Sequence, residues 1–193
     1  MNDDASNKAV PYLIITCGLT GTGKSTIINE VAKERGFTLL TSDIIRKQLV
    51  GISPEEHRYE EFDKGIYSKE FTERTYLHMI EEGKRFLLNG KSVVLDACFP
   101  KKWQRQKAFD AAKEVNARFL CIEFICPEEL VKERLQRRFD SKKGISDGRW
   151  EIYIAQKVTF EKIDDFNSSF HLVINTSKPV EDSKRKIIKK LDS

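Results

Sequence analysis

The stretch Gly18-Leu19-Thr20-Gly21-Thr22-Gly23-Lys24-Ser25 constrains this chain more than any other. It fits the pattern G-x-x-x-x-G-K-[ST], and both of its flanks suit that pattern. Upstream, Tyr12–Cys17 is a short apolar run rich in β-formers, bounded by Pro11 and Gly18, and it reads as a strand buried on both faces. Downstream, Ile27, Ile28, Val31 and Ala32 recur at helical spacing until Gly36 closes the helix. A strand, a glycine loop and a helix N-terminus in that order make a phosphate-binding loop. The glycines let backbone N–H groups turn inward on phosphate oxygens, and the helix N-terminus adds partial positive charge. In such a loop Lys24 reaches the β- and γ-phosphates, Ser25 holds Mg²⁺ through its hydroxyl, and Gly18 through Thr26 cradle the nucleotide. A glycine turn that merely starts a helix would need neither flank. The chain is therefore expected to bind a nucleoside triphosphate.

The rest of the sequence supplies the scaffold. After the first helix, Phe37–Thr41 reads as a second strand and Ser42-Asp43 as the start of a short helix to about Val50. Residues 51–67 contain Pro54 and lack clear periodicity, which suggests a long loop or short helical pieces forming a lid or substrate wall. Ser68 is a plausible cap for a helix to about Asn89, with Tyr76, Ile80, Gly83 and Leu87 on one face. Ser92–Asp96 reads as a third strand, Lys102–Val115 as a helix and Phe119–Ile125 as a fourth strand. Pro127-Glu128-Glu129 opens another helix, which Lys142-Lys143-Gly144 breaks. Asp147 then caps a helix through Trp150, Ile154 and Val158. Leu172–Asn175 is a fifth strand, and a basic helix near Val180–Leu191 ends the chain. Strands alternating with helices predict an α/β fold: a five-stranded parallel sheet with helices on both faces and a helical lid. Met1–Ala9 is expected to be a flexible tail and residues 10–193 a single domain.

Composition excludes several classes. The chain has 193 residues, 39% of them apolar and 33% charged, which suits a globular protein with a solvated exterior. Its formal net charge of +4 is compatible with anionic substrates but too mild to demand a nucleic-acid partner. Cys17, Cys98, Cys121 and Cys126 form no C-x-x-C pair, so they read as reduced thiols, with no zinc site or disulfide framework indicated. No apolar run reaches membrane-span length and the N-terminus is polar, so a cytoplasmic protein is expected. His57, His78 and His171 lack metal-ligand spacing, and Trp103 and Trp150 read as packing residues. The lysines of residues 184–190 read as the wet face of a packed helix rather than a nucleic-acid patch.

In parallel sheets ligands bind outside the carboxyl ends of the strands, which singles out the residues there. Asp43 follows the second strand, with Arg46 one helical turn on. Together they read either as a general base with an arginine for substrate charge, or as a helix cap beside a solvated arginine. Asp96 ends the third strand, where an acid can hold the water shell of Mg²⁺ beside Ser25. Asp43 and Asp96 could exchange these roles. Arg134, Arg137 and Arg138 share one stretch of helix. An arginine closing over a phosphoryl group stabilises its charge, and one stacking on a base serves nucleotide binding. Arg134 and Arg138 are candidates for the first use and Arg137 for the second, with the individual assignment open.

These residues in this order resemble small P-loop kinases. The motifs are Gly-Leu-Thr-Gly-Thr-Gly-Lys-Ser-Thr, Thr-Ser-Asp-Ile-Ile-Arg-Lys, Ser-Val-Val-Leu-Asp-Ala, Cys-Pro-Glu-Glu and an arginine-rich lid. The likeness spans about Leu13 to Asn175. It is nearest to the kinase-like domain sometimes fused to aminoglycoside-phosphotransferase-like domains. Beyond that lie polynucleotide 5′-hydroxyl kinase, zeta-toxin-type kinases, chloramphenicol phosphotransferase and gluconate kinase. The resemblance implies ATP and Mg²⁺ as cofactors and transfer of the γ-phosphoryl group to a hydroxyl of a small-molecule or nucleotide acceptor. From the Asp-x-x-Arg element of such kinases it implies Asp43 as general base and Arg46 as a substrate contact. It does not name the acceptor. A nucleic-acid 5′-hydroxyl kinase, or an ATP-hydrolysing switch without an acceptor, are the alternative readings.

Overall fold

The computed structural model describes residues 9–53, 56, 63–141 and 148–193. Within them β1 (Tyr12–Cys17), β2 (Thr38–Thr41), β3 (Val93–Asp96), β4 (Arg118–Ile125) and β5 (His171–Asn175) form one sheet in the order β2-β3-β1-β4-β5. Every pairing is parallel. The expected strands are all present, β1 with the expected bounds and the other four with their starts shifted by one residue. The connecting helices are α1 (Lys24–Arg35), α2 (Ser42–Gln48), α3 (Lys69–Leu88), α4 (Lys102–Glu114), α5 (Glu128–Ser141), α6 (Trp150–Thr159) and α7 (Val180–Leu191).

Side chains alternate across a strand, so β1 feeds two separate cores. Leu13, Ile15 and Cys17 face α3 and α4, where Met79, Ile80, Ala108 and Ala112 are buried. Ile14 faces α1 and α7, among Ile28, Val31, Ile187 and Leu191. Helices therefore cover both faces. A third, smaller cluster of Val131, Leu135 and Tyr153 joins α5 to α6 as a hairpin beside the main body, with Leu19 of the glycine loop packed against it.

Local chemistry explains the boundaries. Gly36 (φ 65°) ends α1, donating to the carbonyl of Lys33. The Ser68 hydroxyl accepts the Phe71 N–H at 3.4 Å and starts α3 as expected. Tyr76, Ile80, Gly83 and Leu87 form the buried face of α3, and Gly83 lets the helix approach β3 so closely that a Cβ would lie 3.0 Å from Leu95. Residues 51–67 include a 3₁₀ turn at Gly65–Tyr67, and part of this segment lies outside the described residues. Asp147, expected to cap α6, also lies outside them, and Arg149 stands at the N-cap position. The lysines and arginine of α7 are its solvated face, as expected: Lys184 pairs with Glu34 and Glu181, while Ile187 and Leu191 are buried.

Cys17 and Cys121 are core thiols with sulfurs 3.3 Å apart, and burial together with the neighbouring thiol pushes Cys17 well above its ordinary pKa. No helix among the described residues is long and apolar enough to cross a membrane.

Candidate active site

The register of the sheet brings the strand-end residues together. β3 lies between β1 and β2, with Ile15 opposite Leu95 and Thr41 opposite Asp96. The glycine loop after β1, Asp96 at the end of β3 and Asp43 just beyond β2 therefore share one edge. A cavity of about 920 Å³ opens there, lined by Lys24, Ser25, Asp43, Arg46, Asp96, Arg134 and Arg138. That size suits a nucleotide together with a small acceptor.

The loop has the backbone that its glycines permit. Gly21 and Gly23 have φ of 76° and 87°. A Cβ on Gly21 would also meet Leu135 at 2.7 Å. Lys24 is buried and donates to the carbonyls of Gly18 at 3.0 Å and Leu19 at 2.8 Å. Among the described residues the amides of Gly21, Gly23, Lys24 and Ser25 donate to no protein acceptor, which leaves a nest of N–H groups at the N-terminus of α1.

Arg134 works on the back of this loop. Its guanidinium donates to the Thr22 carbonyl at 3.3 Å and to the carbonyl and hydroxyl of Thr176 at 2.7 and 3.0 Å. The Thr176 hydroxyl donates to the same Thr22 carbonyl at 2.6 Å. In a planar trans peptide the C=O and the following N–H point opposite ways, so engaging the Thr22 oxygen turns the Gly23 amide into the nest. Arg138 lines the cavity and donates to the Gly148 carbonyl at 2.6 Å. Arg137 is not among the lining residues; it is exposed and pairs with Glu133 along α5. The three arginines thus face three different environments.

Asp96 is buried, with one oxygen accepting from the Thr16 hydroxyl at 2.9 Å and Oδ2 unpartnered. The Ala97 carbonyl lies 2.8 Å from the same hydroxyl, whose one proton it shares with Asp96, and the hydroxyl accepts the Ala97 N–H at 3.0 Å, so Thr16 clamps the end of β3. A buried carboxylate oxygen without a partner is costly unless a cation or ordered water meets it, and it lines the same cavity as Ser25. These residues therefore fit Mg²⁺ in the manner of a hydrated ion held by few protein ligands. Among the described residues no cluster of three or more His, Cys, Asp or Glu side chains could cage a metal alone.

Asp43 sits in the first turn of α2, is half-buried and lines the same cavity. The N-cap position is Thr41, not Asp43, and no side-chain cap bond forms there. Arg46 is buried, donates to the Ile66 carbonyl and to Thr72, and lies 4.8 Å over the Tyr67 ring, while its Nε is unpartnered. It is not the solvated arginine that would accompany Asp43 as a mere helix cap.

The structure also brings in residues that the sequence did not single out. Trp103, expected to pack inside, is 38% exposed and lines the cavity; Trp150 does pack, stacked on Tyr153. Cys98, Tyr76 and Gln156 line it too. The turn after β3 carries backbone strain at buried Phe99 (φ 44°), whose N–H donates to the Tyr76 hydroxyl at 3.1 Å. That turn passes the Cys98 carbonyl to the Gly18 N–H at 3.1 Å.

Arg105, wholly buried, holds the turn from behind. It donates to the Phe99 carbonyl at 3.1 Å and pairs with Asp165 at 2.5 Å, tying the turn to the segment after α6. Arg105→Met should leave the buried Asp165 carboxylate with only the exposed Lys102 ammonium, 3.6 Å away, and cost about 3–5 kcal/mol. For a domain of this size that is a fall in Tm on the order of 10 °C, readable by calorimetry. A fall under about 3 °C would show the pair to be dispensable. The signal for Arg105 was invisible beforehand, because its partner lies 60 residues away.

Known proteins resemble this chain in sequence and in fold. An AAA-domain family profile matches residues 13–172. An uncharacterized protein of Mycobacterium tuberculosis H37Rv is 27% identical over 149 residues, covering 76% of this chain; the chain spans only 29% of that protein. UMP-CMP kinase 3 of Arabidopsis thaliana is 25% identical over 189 residues, covering 92% of this chain and 89% of that protein. Among solved structures, APS kinase CysC of Mycobacterium tuberculosis superposes with a TM-score of 0.69 at 17% identity, covering 95% of this chain and 99% of that one. A gluconokinase of Sinorhizobium meliloti gives 0.65 at 17%, covering 95% and 93%. The fold is thus that of the small P-loop kinases, and by its sequence the chain belongs to the AAA-domain family.

Proposed function

We propose that the chain is an ATP-dependent kinase that transfers the γ-phosphoryl group to a hydroxyl of a small-molecule or nucleotide acceptor. The observation that carries this reading is one cavity lined by both the phosphate loop and the Asp43–Arg46 wall, with Asp96 between them in sheet order. The inward-facing amides and Lys24 bind and orient the phosphates. Asp43 takes the proton of the attacking hydroxyl, and Arg46 holds the acceptor against the Tyr67 side of the cavity. Arg138, on the hairpin that covers the loop, is the candidate arginine for the transferred group, and Arg134 keeps the loop in shape. Mg²⁺ held by Ser25 and Asp96, when bound, neutralises charge on the β- and γ-phosphates. ATP rather than GTP follows from the kinase resemblance. UMP-CMP kinase, gluconokinase and APS kinase among the similar proteins support a small acceptor.

The test is transfer from γ-labelled ATP across a panel of nucleosides and nucleotides, sugars and sugar acids, aminoglycosides, chloramphenicol and 5′-hydroxyl oligonucleotides. Labelled acceptor that is absent with Lys24→Ala and Asp43→Asn supports the kinase. ATP hydrolysis indifferent to Asp43, with no labelled acceptor, would instead favour a nucleotide-dependent switch. Asp96→Asn should lower transfer by about 10- to 100-fold and raise the Mg²⁺ concentration needed for half-maximal rate, as expected for loss of a charged metal-site neighbour. An unchanged Mg²⁺ requirement would move the metal role away from Asp96.

A further inference from the structure

Besides its packing on Leu19 and Gly21, the α5–α6 hairpin meets the glycine loop at Thr20. Gly148, just before α6, approaches so closely that a Cβ there would lie 2.0 Å from the Thr20 hydroxyl and 2.6 Å from Arg138. One and a half turns into α6, the Gln156 side chain meets the same residue: its Oε1 accepts the Thr20 N–H at 2.9 Å. The direction of that amide follows from its peptide. The Leu19 carbonyl is engaged by Lys24 inside the loop, so the Thr20 N–H points out of the loop, toward the hairpin.

This bond fixes the orientation of the carboxamide. A backbone N–H can only donate, so the Gln156 oxygen must face it and the Nε2 must face the other way. The Cys98 sulfur, two residues past Asp96, lies beside the carboxamide, 3.9 Å from Nε2 and 4.0 Å from Oε1. Gln156, Thr20, Cys98 and Asp96 all line the one cavity. With its oxygen taken by Thr20, the carboxamide leaves Nε2 as a donor in the cavity shared by the phosphate loop and the β3 end.

We propose that Gln156 is a catalytic residue of the phosphoryl transfer: the Thr20 amide anchors its oxygen while Nε2 donates to the terminal phosphoryl group. The inference rests on the kinase reading above. A neutral donor, already oriented before the nucleotide arrives, stabilises charge on the transferred group without reorganisation. Because the donor rides on α6, it also makes the terminal phosphate a contact of the hairpin.

The acceptor need not be known to test this. Affinities for Mg²⁺-ADP and for a non-hydrolysable β,γ-imido triphosphate are measured by calorimetry for the wild type, Gln156→Ala and Gln156→Glu, with melting curves to confirm folding. The glutamate keeps an oxygen for Thr20 but replaces the donor by a second acceptor carrying negative charge. Gln156→Glu should weaken the triphosphate analogue about tenfold or more while ADP changes by less than about twofold, and Gln156→Ala should weaken the analogue alone by about threefold. Equal losses for both nucleotides, or no loss for either, would overturn the inference, since a merely structural contact predicts no discrimination between them. Should Gln156→Glu fail to fold, the alanine variant carries the same comparison. A wild type that binds neither nucleotide would instead fail the kinase reading itself.

Discussion

Lys24→Ala should abolish measurable phosphoryl transfer, a fall of about 10³-fold or more. The lysine is 8% exposed, and its Nζ bridges the Gly18 and Leu19 carbonyls at the mouth of a nest of free amides. Removing it takes away the positive charge that would meet the β- and γ-phosphates, and it leaves the Leu19 carbonyl facing the phosphate chain with one donor fewer. Triphosphate affinity should also fall, but less than the rate, because the amide nest and the N-terminus of α1 persist. Lys24→Arg separates charge from shape: the planar guanidinium keeps the charge but not the compact fit between two carbonyls, so binding should recover more than transfer. The measurements are single-turnover transfer and nucleotide calorimetry side by side. Transfer within about tenfold of wild type in Lys24→Ala would rule out the assigned role.

Asp43→Asn should cut kcat by about 10²- to 10⁴-fold, with nucleotide affinity changed by less than about twofold. Asparagine keeps the size of the side chain and removes only the base. The geometry separates Asp43 from Asp96 in a way that makes the outcome informative. Asp96 is buried, bonded to Thr16 and left with an unpartnered oxygen, as a metal-site carboxylate would be. Asp43 is half-buried in the first turn of α2, on the wall formed with Arg46. If the roles are as proposed, Asp43→Asn lowers the rate without shifting the Mg²⁺ requirement, and Asp96→Asn shifts it. The reverse pattern in a Mg²⁺ titration would exchange the two assignments.

The sequence determined the phosphate loop, the order of the strands along the chain and the parallel architecture. Each of these depends on local signals: the glycine spacing, the apolar run Tyr12–Cys17, the Ser68 cap and the face of α3 made by Tyr76, Ile80 and Leu87. It also put Asp43 and Asp96 at strand ends, because a parallel sheet points all its carboxyl ends one way. It could not separate Arg134, Arg137 and Arg138, which are neighbours on one helix yet face the loop backbone, solvent and the hairpin. Residues three or four apart lie on nearly the same helix face, so their spacing could not tell them apart; only the tertiary partners of each, with α5 packed on Leu19, decide what each guanidinium meets.

Other residues became legible only through long-range contacts. Thr16 needed β3 beside β1, Arg105 needed Asp165, and Gln156 needed α6 to fold back over a loop 136 residues earlier. Such a residue carries no mark in its own neighbourhood, because its role is a hydrogen bond to a distant backbone group rather than a local pattern. The tertiary structure alone decided those, by bringing both partners of each bond within reach while excluding the water that would otherwise satisfy them.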